Sequence, residues 1–326
     1  MRWITIEDFI DVYSKVVQRG ASFFFSKFTA NSKSRTKSAF DNTFTQSSNW
    51  WIIPQVRERW NELITGNATI NYKEYLVATY FKEKKGVRVL SLGSGTCYHE
   101  LELATFDAFG EIVCVDLAEN RLQQAQELAE EQKLENIHFI CSDLSDYAFP
   151  PNYFDMVLFN ASLHHFENVE QLLSVQVKTT LKNEGVLVIN EYVGPNRLQY
   201  PKEQIKTVNK ALQLIPSPYR KRFKTNLPKN RYYGSGLWRM IIADPSECVD
   251  SQSILPSIHS HFTILEEKPY GGNILMSTLK DISHHFVNPN PNQEEILTTL
   301  FEFEDAYLLK HKSDFVFGVY KKGLVH

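Results

Sequence analysis

The stretch that decides the fold runs from Val89 to Thr96 and reads Val-Leu-Ser-Leu-Gly-Ser-Gly-Thr. Its apolar first half predicts a buried strand, and Gly93 and Gly95 predict a sharp turn into a helix that begins at about His99. Glycines suit a backbone that must come close to a ligand, because any Cβ would collide there. The free N–H groups of the following helix can face an anionic end of that ligand. We therefore expect a ligand-binding turn, with a plain tight turn as the alternative.

Strands and helices alternate around this turn. Apolar runs predict five strands, at residues 87–92, 112–116, 137–141, 155–160 and 186–191, with helical patterns at residues 118–133 and 169–181. Parallel strands need such crossover connections. Further apolar runs at residues 262–267 and 315–320 bring the strands to seven. The expected fold is α/β, a doubly wound, mostly parallel, seven-stranded Rossmann-like sheet.

An acidic residue closes the second predicted strand. Asp116 lies twenty-three residues after Gly93, where its carboxylate can accept hydrogen bonds from both ribose hydroxyls of an adenosine lying across the strand ends. A solvated strand-end aspartate is the alternative. A dinucleotide is disfavoured, because Tyr98 stands where the usual pyrophosphate-binding turn has a third glycine. The pattern favours a nucleoside cofactor without a pyrophosphate.

Four motifs then follow one another in a known order. The Gly93-Ser94-Gly95 turn, Asp116, Ser142-Asp143-Leu144 and Asp155-Met156-Val157 resemble the class I S-adenosylmethionine-dependent methyltransferases over residues 86–192. The resemblance implies S-adenosylmethionine as the cofactor, with Asp143 on the adenine amino group and Leu144 beside the ring. The cofactor site that it implies consists of Gly93, Ser94, Gly95, Asp116, Leu117, Asp143, Leu144 and Asn160.

Two positions depart from the pattern of that family. Ser91 stands where an acidic residue is usual, and Cys97 stands where a third glycine is usual. The first change weakens an indirect hold on the methionine amino group, and the second asks for slightly more room. They leave a non-catalytic cofactor-binding or partner-binding protein open as an alternative. The glycine turn and Asp116 also leave a nucleotide-dependent oxidoreductase open.

The acceptor is expected beyond the carboxyl end of the fourth strand, where the chain reads Asn160-Ala161-Ser162-Leu163-His164-His165. His164 or His165 can take a proton from a hydroxyl at neutral pH, and Glu191, after the fifth strand, can orient the acceptor. Purely structural roles are the alternative for all three. We expect them to be catalytic, with transfer to oxygen of a small or medium-sized acceptor and with nitrogen or carbon acceptors left open.

The remaining segments are expected to frame this site. Residues 1–80 are predicted to form an N-terminal helical cap, and residues 81–326 the Rossmann-like domain, with insertions at about 195–260 and 271–312 forming a lid. Between Ser217 and Met240 the chain carries seven basic residues and no acidic one. Their charges can receive an anionic acceptor or form a solvated lid surface.

The cap begins with a helix predicted over residues 5–19, followed by phenylalanines at residues 23–28 and a Ser- and Lys-rich linker at residues 31–38. This piece can press weakly onto a membrane surface or pack on the main domain. Glu7, Asp8 and Asp11 favour packing, because a membrane-surface helix usually has a lysine-rich polar face.

Composition narrows the remaining classes. The chain has 35 Lys and Arg against 38 Asp and Glu, and the fourth strand is not followed by a proline-proline-aromatic turn, so a nucleic-acid partner is disfavoured. Apolar runs are too short for a transmembrane segment, and a signal-peptide pattern is not found, so we expect a cytoplasmic protein. The four cysteines are predicted to be reduced and buried, and no metal site is predicted.

Overall fold

The computed structural model describes residues 1–19 and 48–323. The phenylalanines at residues 23–28 and the predicted linker at residues 31–38 lie outside the described residues. The chain divides into two compact units: the first contains Met1–Thr69, Gly194–Glu247 and Pro269–Phe315, and the second contains Ile70–Val193, Cys248–Lys268 and Val316–His326. Residues 1–69 of the predicted cap and much of both predicted insertions belong to the first unit, whereas residues 70–80 of the predicted cap belong to the second. Their role as a lid stays a prediction.

The sheet contains strands β1 (Val87–Leu92), β2 (Phe109–Asp116), β3 (Ile137–Cys141), β4 (Phe154–Asn160), β5 (Leu181–Tyr192), β6 (Phe262–Gly271) and β7 (Phe315–Lys322). Their order is β3-β2-β1-β4-β5-β7-β6. Parallel pairing joins β1 to β2 and to β4, β2 to β3, and β4 to β5. The predicted doubly wound, mostly parallel sheet is confirmed. The strand order reverses between β1 and β4, because the chain runs from β1 to one edge and from β4 toward the other. Sheets of this kind bind ligands at the carboxyl ends of the two strands that flank such a reversal.

The helices, in chain order, are α1 (Ile6–Arg19), α2 (Pro54–Thr65), α3 (Tyr72–Leu76), α4 (Tyr98–Leu103), α5 (Glu119–Glu131), α6 (residues 169–180), α7 (Lys202–Leu214), α8 (Leu237–Ala243), α9 (Ile254–His261), α10 (Leu275–Leu279) and α11 (Pro291–Leu308). Leu163–His165 form one turn of 3₁₀ helix directly after β4. Among the described residues, none of these helices has both the length and the apolar character needed to cross a bilayer.

The central strands are buried along most of their length. Leu90, Val157 and Leu187 are inaccessible to solvent and belong to one apolar cluster in the second unit. Each such side chain contributes about 1.5–3 kcal/mol when it leaves water. This burial explains why continuous apolar runs identified the strands.

Strand and helix ends differ from the prediction where the chain is polar or irregular. β5 begins at Leu181 instead of residue 186, and it includes Lys182 and Glu184, which an apolar run cannot show. The helical stretch at residues 275–286 is interrupted, because Asp281 has a φ of 70° and separates α10 from a short 3₁₀ turn at Ser283–Phe286. Cys141 is exposed at the end of the edge strand β3, so the prediction that all four cysteines are buried was wrong for this one.

The first unit buries the acidic side of α1. Glu7, Asp8 and Asp11 are all buried, and each pairs with a basic side chain distant in sequence. Arg222 Nη2 lies 2.8 Å from Glu7 Oε1, and Arg239 Nε lies 3.0 Å from Asp8 Oδ1. The predicted basic insertion therefore supplies countercharges to α1.

A third carboxylate completes this set of ion pairs. Asp11 Oδ2 is 3.2 Å from Arg239 Nη1 and 3.0 Å from Lys280 Nζ. Burial alone would raise the pKa of Asp11, but the charges of Lys280 and Arg239 outweigh burial and lower it. Lys229 is buried as well and donates to the carbonyl oxygens of Ser277 and Lys280. Arg222, Lys229 and Arg239 thus pair with groups of the unit itself, which leaves Arg220, Lys221, Lys224 and Arg231 as the other basic residues between Ser217 and Met240.

Replacing Arg222 with leucine should destabilise the first unit by about 3–5 kcal/mol, because Glu7 and Asp281 would lose a buried partner. Urea unfolding followed by circular dichroism measures this change. Arg231→Leu is the matched control, since the Arg231 side chain is exposed and lies over the Tyr233 ring. Equal small losses in both variants would contradict a structural role for the Arg222 pairs.

Candidate functional site

The glycine turn is fixed at both ends. The Gly93 N–H donates to the Val115 carbonyl at 2.8 Å, and Gly93 has a φ of 70°, in the left-handed region that favours glycine. A Cβ on Gly93 would lie 2.8 Å from the Cβ of Ser162. The loop after β4 therefore packs directly on the turn, and Gly93 leaves the space for it.

Asp116 lies at the same turn. Its Oδ2 accepts the Gly95 N–H at 2.8 Å, and its Oδ1 accepts the Ala118 N–H at 2.8 Å. The side chain is half-buried, and the neighbouring Leu117 is exposed. The carboxylate is thus oriented by two backbone donors while each oxygen retains acceptor capacity for the hydroxyls of a ribose.

Asp143 and Leu144 follow β3 at the neighbouring strand end. The Ser142 N–H donates to the Asp116 carbonyl at 3.1 Å, so the residues after β3 lie beside the end of β2. Asp143 Oδ1 accepts from the N–H of Ser145 at 3.0 Å, which shapes the turn, and Leu144 is partly buried against the core. The structure brings the motif next to Asp116 and gives Asp143 a local structural partner as well.

A buried carboxyl group stands beside Ser91, where the family pattern usually has an acidic residue. Ser91 Oγ donates to Glu100 Oε1 at 2.7 Å, and both residues are buried. Burial raises the pKa of Glu100 to about 6, against the lowering effect of the Ser91 hydrogen bond. A carboxyl group is therefore hydrogen-bonded to Ser91, and it comes from α4, nine residues later in the chain. Sequence reasoning missed Glu100; the signal was the departure at Ser91 itself.

Cys97 shows what the second departure requires. The sequence indicated only that Cys97 needs slightly more room than glycine. Its φ of 51° shows that the position also requires a left-handed backbone. Such a conformation costs a non-glycine residue about 1 kcal/mol or more. The side chain is fully buried and its Sγ lies 3.4 Å from Ser94 Oγ.

A polar cluster that the sequence did not predict lies at the end of β4. Tyr72 Oη donates to Asn160 Oδ1 at 3.1 Å and also contacts His99 Nδ1 at 3.1 Å. Lys73, buried on α3, lies 3.3 Å from the same nitrogen and 2.9 Å from Glu102 Oε2. Burial, assisted by the charge of Lys73, lowers the pKa of His99 to about 3, so its imidazole is neutral.

His164 and Glu191 form a hydrogen-bonded pair. Glu191 Oε2 lies 2.7 Å from His164 Nδ1, and Glu191 is completely buried. The other carboxylate oxygen accepts the backbone N–H groups of Ser162 and Leu163. With Nδ1 protonated toward the carboxylate, Nε2 is the basic nitrogen of the ring.

His165, Tyr192 and Ser162 lie close to the pair of His164 and Glu191. The His165 ring centroid is 4.3 Å from that of His164, and His165 is half-buried. Glu191 and Tyr192 belong to β5 itself and not to the loop after it, because the strand continues to Tyr192. Ser162 Oγ donates to the Leu92 carbonyl at 2.7 Å. The structure therefore joins the three predicted catalytic residues to the end of β1 and the glycine turn.

Comparison with known proteins agrees with this architecture. Residues 83–302 match the family described as a methyltransferase domain. The chain belongs to this family, the class I S-adenosylmethionine-dependent methyltransferases, whose cofactor is S-adenosylmethionine.

Individual relatives are distant. The chain is 26% identical to the uncharacterized methyltransferase YcgJ of Bacillus subtilis over 108 residues, 33% of this chain and 42% of that protein. It is 28% identical to the malonyl-[acyl-carrier protein] O-methyltransferase of Bacillus cereus over 112 residues, 34% of this chain and 40% of that protein. These matches span about two fifths of each relative. The crystal structure of YcgJ is similar with a TM-score of 0.38 at 17% identity, covering 73% of this chain and 91% of that one.

Replacing Gly93 with alanine should destabilise the second unit by about 2–4 kcal/mol, since a Cβ there meets Ser162 at 2.8 Å in a left-handed backbone. Gly86→Ala is the matched control: its φ is 68°, and a Cβ would meet nothing within 4 Å. It should lose only about 1 kcal/mol of unfolding free energy. Equal losses in urea unfolding would show that crowding against Ser162 is unimportant.

Glu100→Gln should change how stability depends on pH. The folded pKa of Glu100, about 6, is above its ordinary value of 4.5, so its favourable contribution is complete below pH 4.5 and is lost as the pH rises through 6. The free energy of unfolding of the wild type should therefore fall relative to that of the variant, by about 2 kcal/mol between pH 4.5 and 7. Glu127→Gln, exposed on α5, is the control and should show no such trend.

Proposed function

We propose that the protein transfers a methyl group from S-adenosylmethionine to a hydroxyl oxygen of a small or medium-sized acceptor. The observation that carries this proposal is the Glu191–His164 pair, whose loop packs through Ser162 on the glycine turn. A proton acceptor and the predicted cofactor turn are thereby held in one rigid arrangement at the switch point of the sheet.

The residues at the strand ends fit the cofactor. Asp116 would hold the ribose hydroxyls, and the exposed Leu117, with Asp143 and Leu144, would border the adenine. The turn of Gly93, Ser94 and Gly95 would lie beneath the methionine part, with Asn160 across from it at the end of β4. When bound, the sulfonium of S-adenosylmethionine supplies a methyl group already activated for displacement.

Glu100 supports cofactor binding from beneath. The family pattern places an acid at Ser91 as an indirect hold on the methionine amino group. Ser91 bonds to Glu100, so the pair restores a carboxyl group at nearly the same place. Because the pKa of Glu100 is about 6, the group is ionised at neutral pH, and its charge would favour a cationic amino group.

His164 is the proposed general base. Glu191 orients the ring through Nδ1, so Nε2 would accept the proton of an acceptor hydroxyl as the oxygen attacks the methyl group. A neutral amine brings its own lone pair and needs no such base at the moment of attack, so the pair favours oxygen. One curated relative is by name an O-methyltransferase, which is in keeping with this choice.

The test combines binding with turnover. By titration calorimetry, the protein should bind S-adenosylmethionine and S-adenosylhomocysteine but not a nicotinamide dinucleotide. With radiolabelled S-adenosylmethionine and a panel of small hydroxyl, amine and thiol compounds, label should pass to a hydroxyl compound. His164→Ala should reduce turnover about 10²–10⁴-fold with unchanged cofactor affinity.

Two further variants separate catalysis from structure. Glu191→Gln should also lower turnover, whereas His165→Ala, the neighbouring imidazole, should lower it far less. Full turnover by His164→Ala would refute the base assignment. Tight cofactor binding without transfer to any compound would favour the non-catalytic binding protein, and dinucleotide binding would favour the oxidoreductase.

A further inference from the structure

Helix α1 is amphipathic, and its orientation is the reverse of that usual in a folded protein. Its acidic side is buried, whereas Ile6, Phe9, Tyr13 and Val17 are 54%, 69%, 51% and 46% exposed. These four residues are three or four positions apart, so they lie along one side of the helix. The helix presents its apolar side to the solvent.

Neighbouring segments of the first unit extend this surface. Trp3 and Ile4 are exposed just before α1, and Trp238 is exposed on α8. The rings of Trp3 and Trp238 lie 6.2 Å apart, and the Trp238 N–H donates to the Trp3 carbonyl at 3.1 Å. We call these residues the apolar face: Trp3, Ile4, Ile6, Phe9, Tyr13, Val17 and Trp238. An exposed surface with several large apolar side chains is typical of a site that binds another protein or a membrane.

The exposure of the apolar face is fixed by the ion pairs beneath it. If α1 rolled to bury Phe9 and Tyr13, it would pull Glu7 away from Arg222 and Asp11 away from Arg239 and Lys280. Breaking buried pairs of this type is strongly unfavourable, because each leaves an uncompensated buried charge. The first unit therefore holds the apolar face outward.

Positive charge borders the face at one end. An open cavity of about 530 Å³ is lined by Tyr13 and Val17 together with Lys221, Lys224 and Asn226. Both lysine side chains are exposed, and no ion pair joins either of them to another described residue. In the sequence that follows α1, residues 20–40 add four basic residues and no acidic one. The partner should therefore combine an apolar layer with negative charge.

We propose that the apolar face docks the protein on a bilayer surface that contains anionic phospholipid. The aromatic rings would lie at the headgroup level, the aliphatic side chains would enter the acyl boundary, and Lys221 and Lys224 would meet the phosphates. A second copy of the chain fits less well, since lysines border its own apolar face and the described carboxylates of α1 lie buried beneath that face. This proposal does not depend on the proposed methyl transfer.

Co-sedimentation of the full chain with vesicles tests the proposal. Binding should be stronger to vesicles of phosphatidylcholine mixed with phosphatidylglycerol than to phosphatidylcholine alone. Phe9→Glu should weaken binding about tenfold or more, because the lost burial of one phenylalanine is worth that factor. The double variant Lys221→Glu, Lys224→Glu should weaken binding to the mixed vesicles about 30-fold or more. The binding that remains should depend less on salt concentration than that of the wild type.

Leu309→Glu is the matched control, since Leu309 is 85% exposed in the same unit but lies outside the apolar face; its binding should equal that of the wild type. Ile6→Glu is a second variant of the apolar face and should also weaken binding. Circular dichroism should show native folding for Phe9→Glu and Ile6→Glu. The proposal is overturned if the wild type binds neither vesicle, or if Phe9→Glu and Leu309→Glu behave alike. It is also overturned if sedimentation shows a dimer that Phe9→Glu disrupts and no vesicle binding occurs.

Discussion

The hydrogen bond from the Gly95 N–H to the carboxylate of Asp116 ties the glycine turn after β1 to the end of β2. It requires the turn to come back over the second strand, which Gly93 allows through its left-handed backbone and its lack of a Cβ. The loop after β4 then fits the space that Gly93 leaves. The glycine turn, Asp116 and the histidine loop thus depend on one another. The turn donates a hydrogen bond to Asp116, and its lack of a Cβ leaves the space that the histidine loop fills.

Buried carboxylates organise the rest of the second unit, and each is stabilised in a different way. Glu191 accepts two backbone N–H groups and an imidazole, so its charge is distributed over three donors. Glu100 has a serine hydroxyl as its side-chain donor, and its raised pKa records the weaker compensation. A well-compensated carboxylate suits a residue that must hold a base in place. A poorly compensated one is sensitive to a nearby positive charge, which is what a cofactor with an amino group would bring.

The sequence predicted those features that depend on neighbours along the chain. Strands β1 to β5 were recognisable because strands in a parallel sheet are buried on both faces and read as apolar runs, and Asp116 was placed by its distance from the glycine turn. Glu100 and the cluster of Tyr72, Lys73 and His99 were not predicted, since single polar residues carry no periodic signal; for Glu100 the departure at Ser91 was the one available signal. The basic insertion was noticed, but its partners on α1 lie more than 200 residues away. Only the folded chain brings those charges together.

The acidic residues of α1 illustrate how a correct observation can support an incomplete conclusion. In the sequence, Glu7, Asp8 and Asp11 favour packing over contact with a membrane, because they stand where a membrane-surface helix usually has a lysine-rich polar face. In the structure these carboxylates are the buried side, neutralised by Arg222, Arg239 and Lys280. Because an amphipathic helix has only two sides, burying the acidic one exposes the apolar one. The ion pairs that attach α1 to its unit are therefore also the reason that Phe9 and Tyr13 face outward.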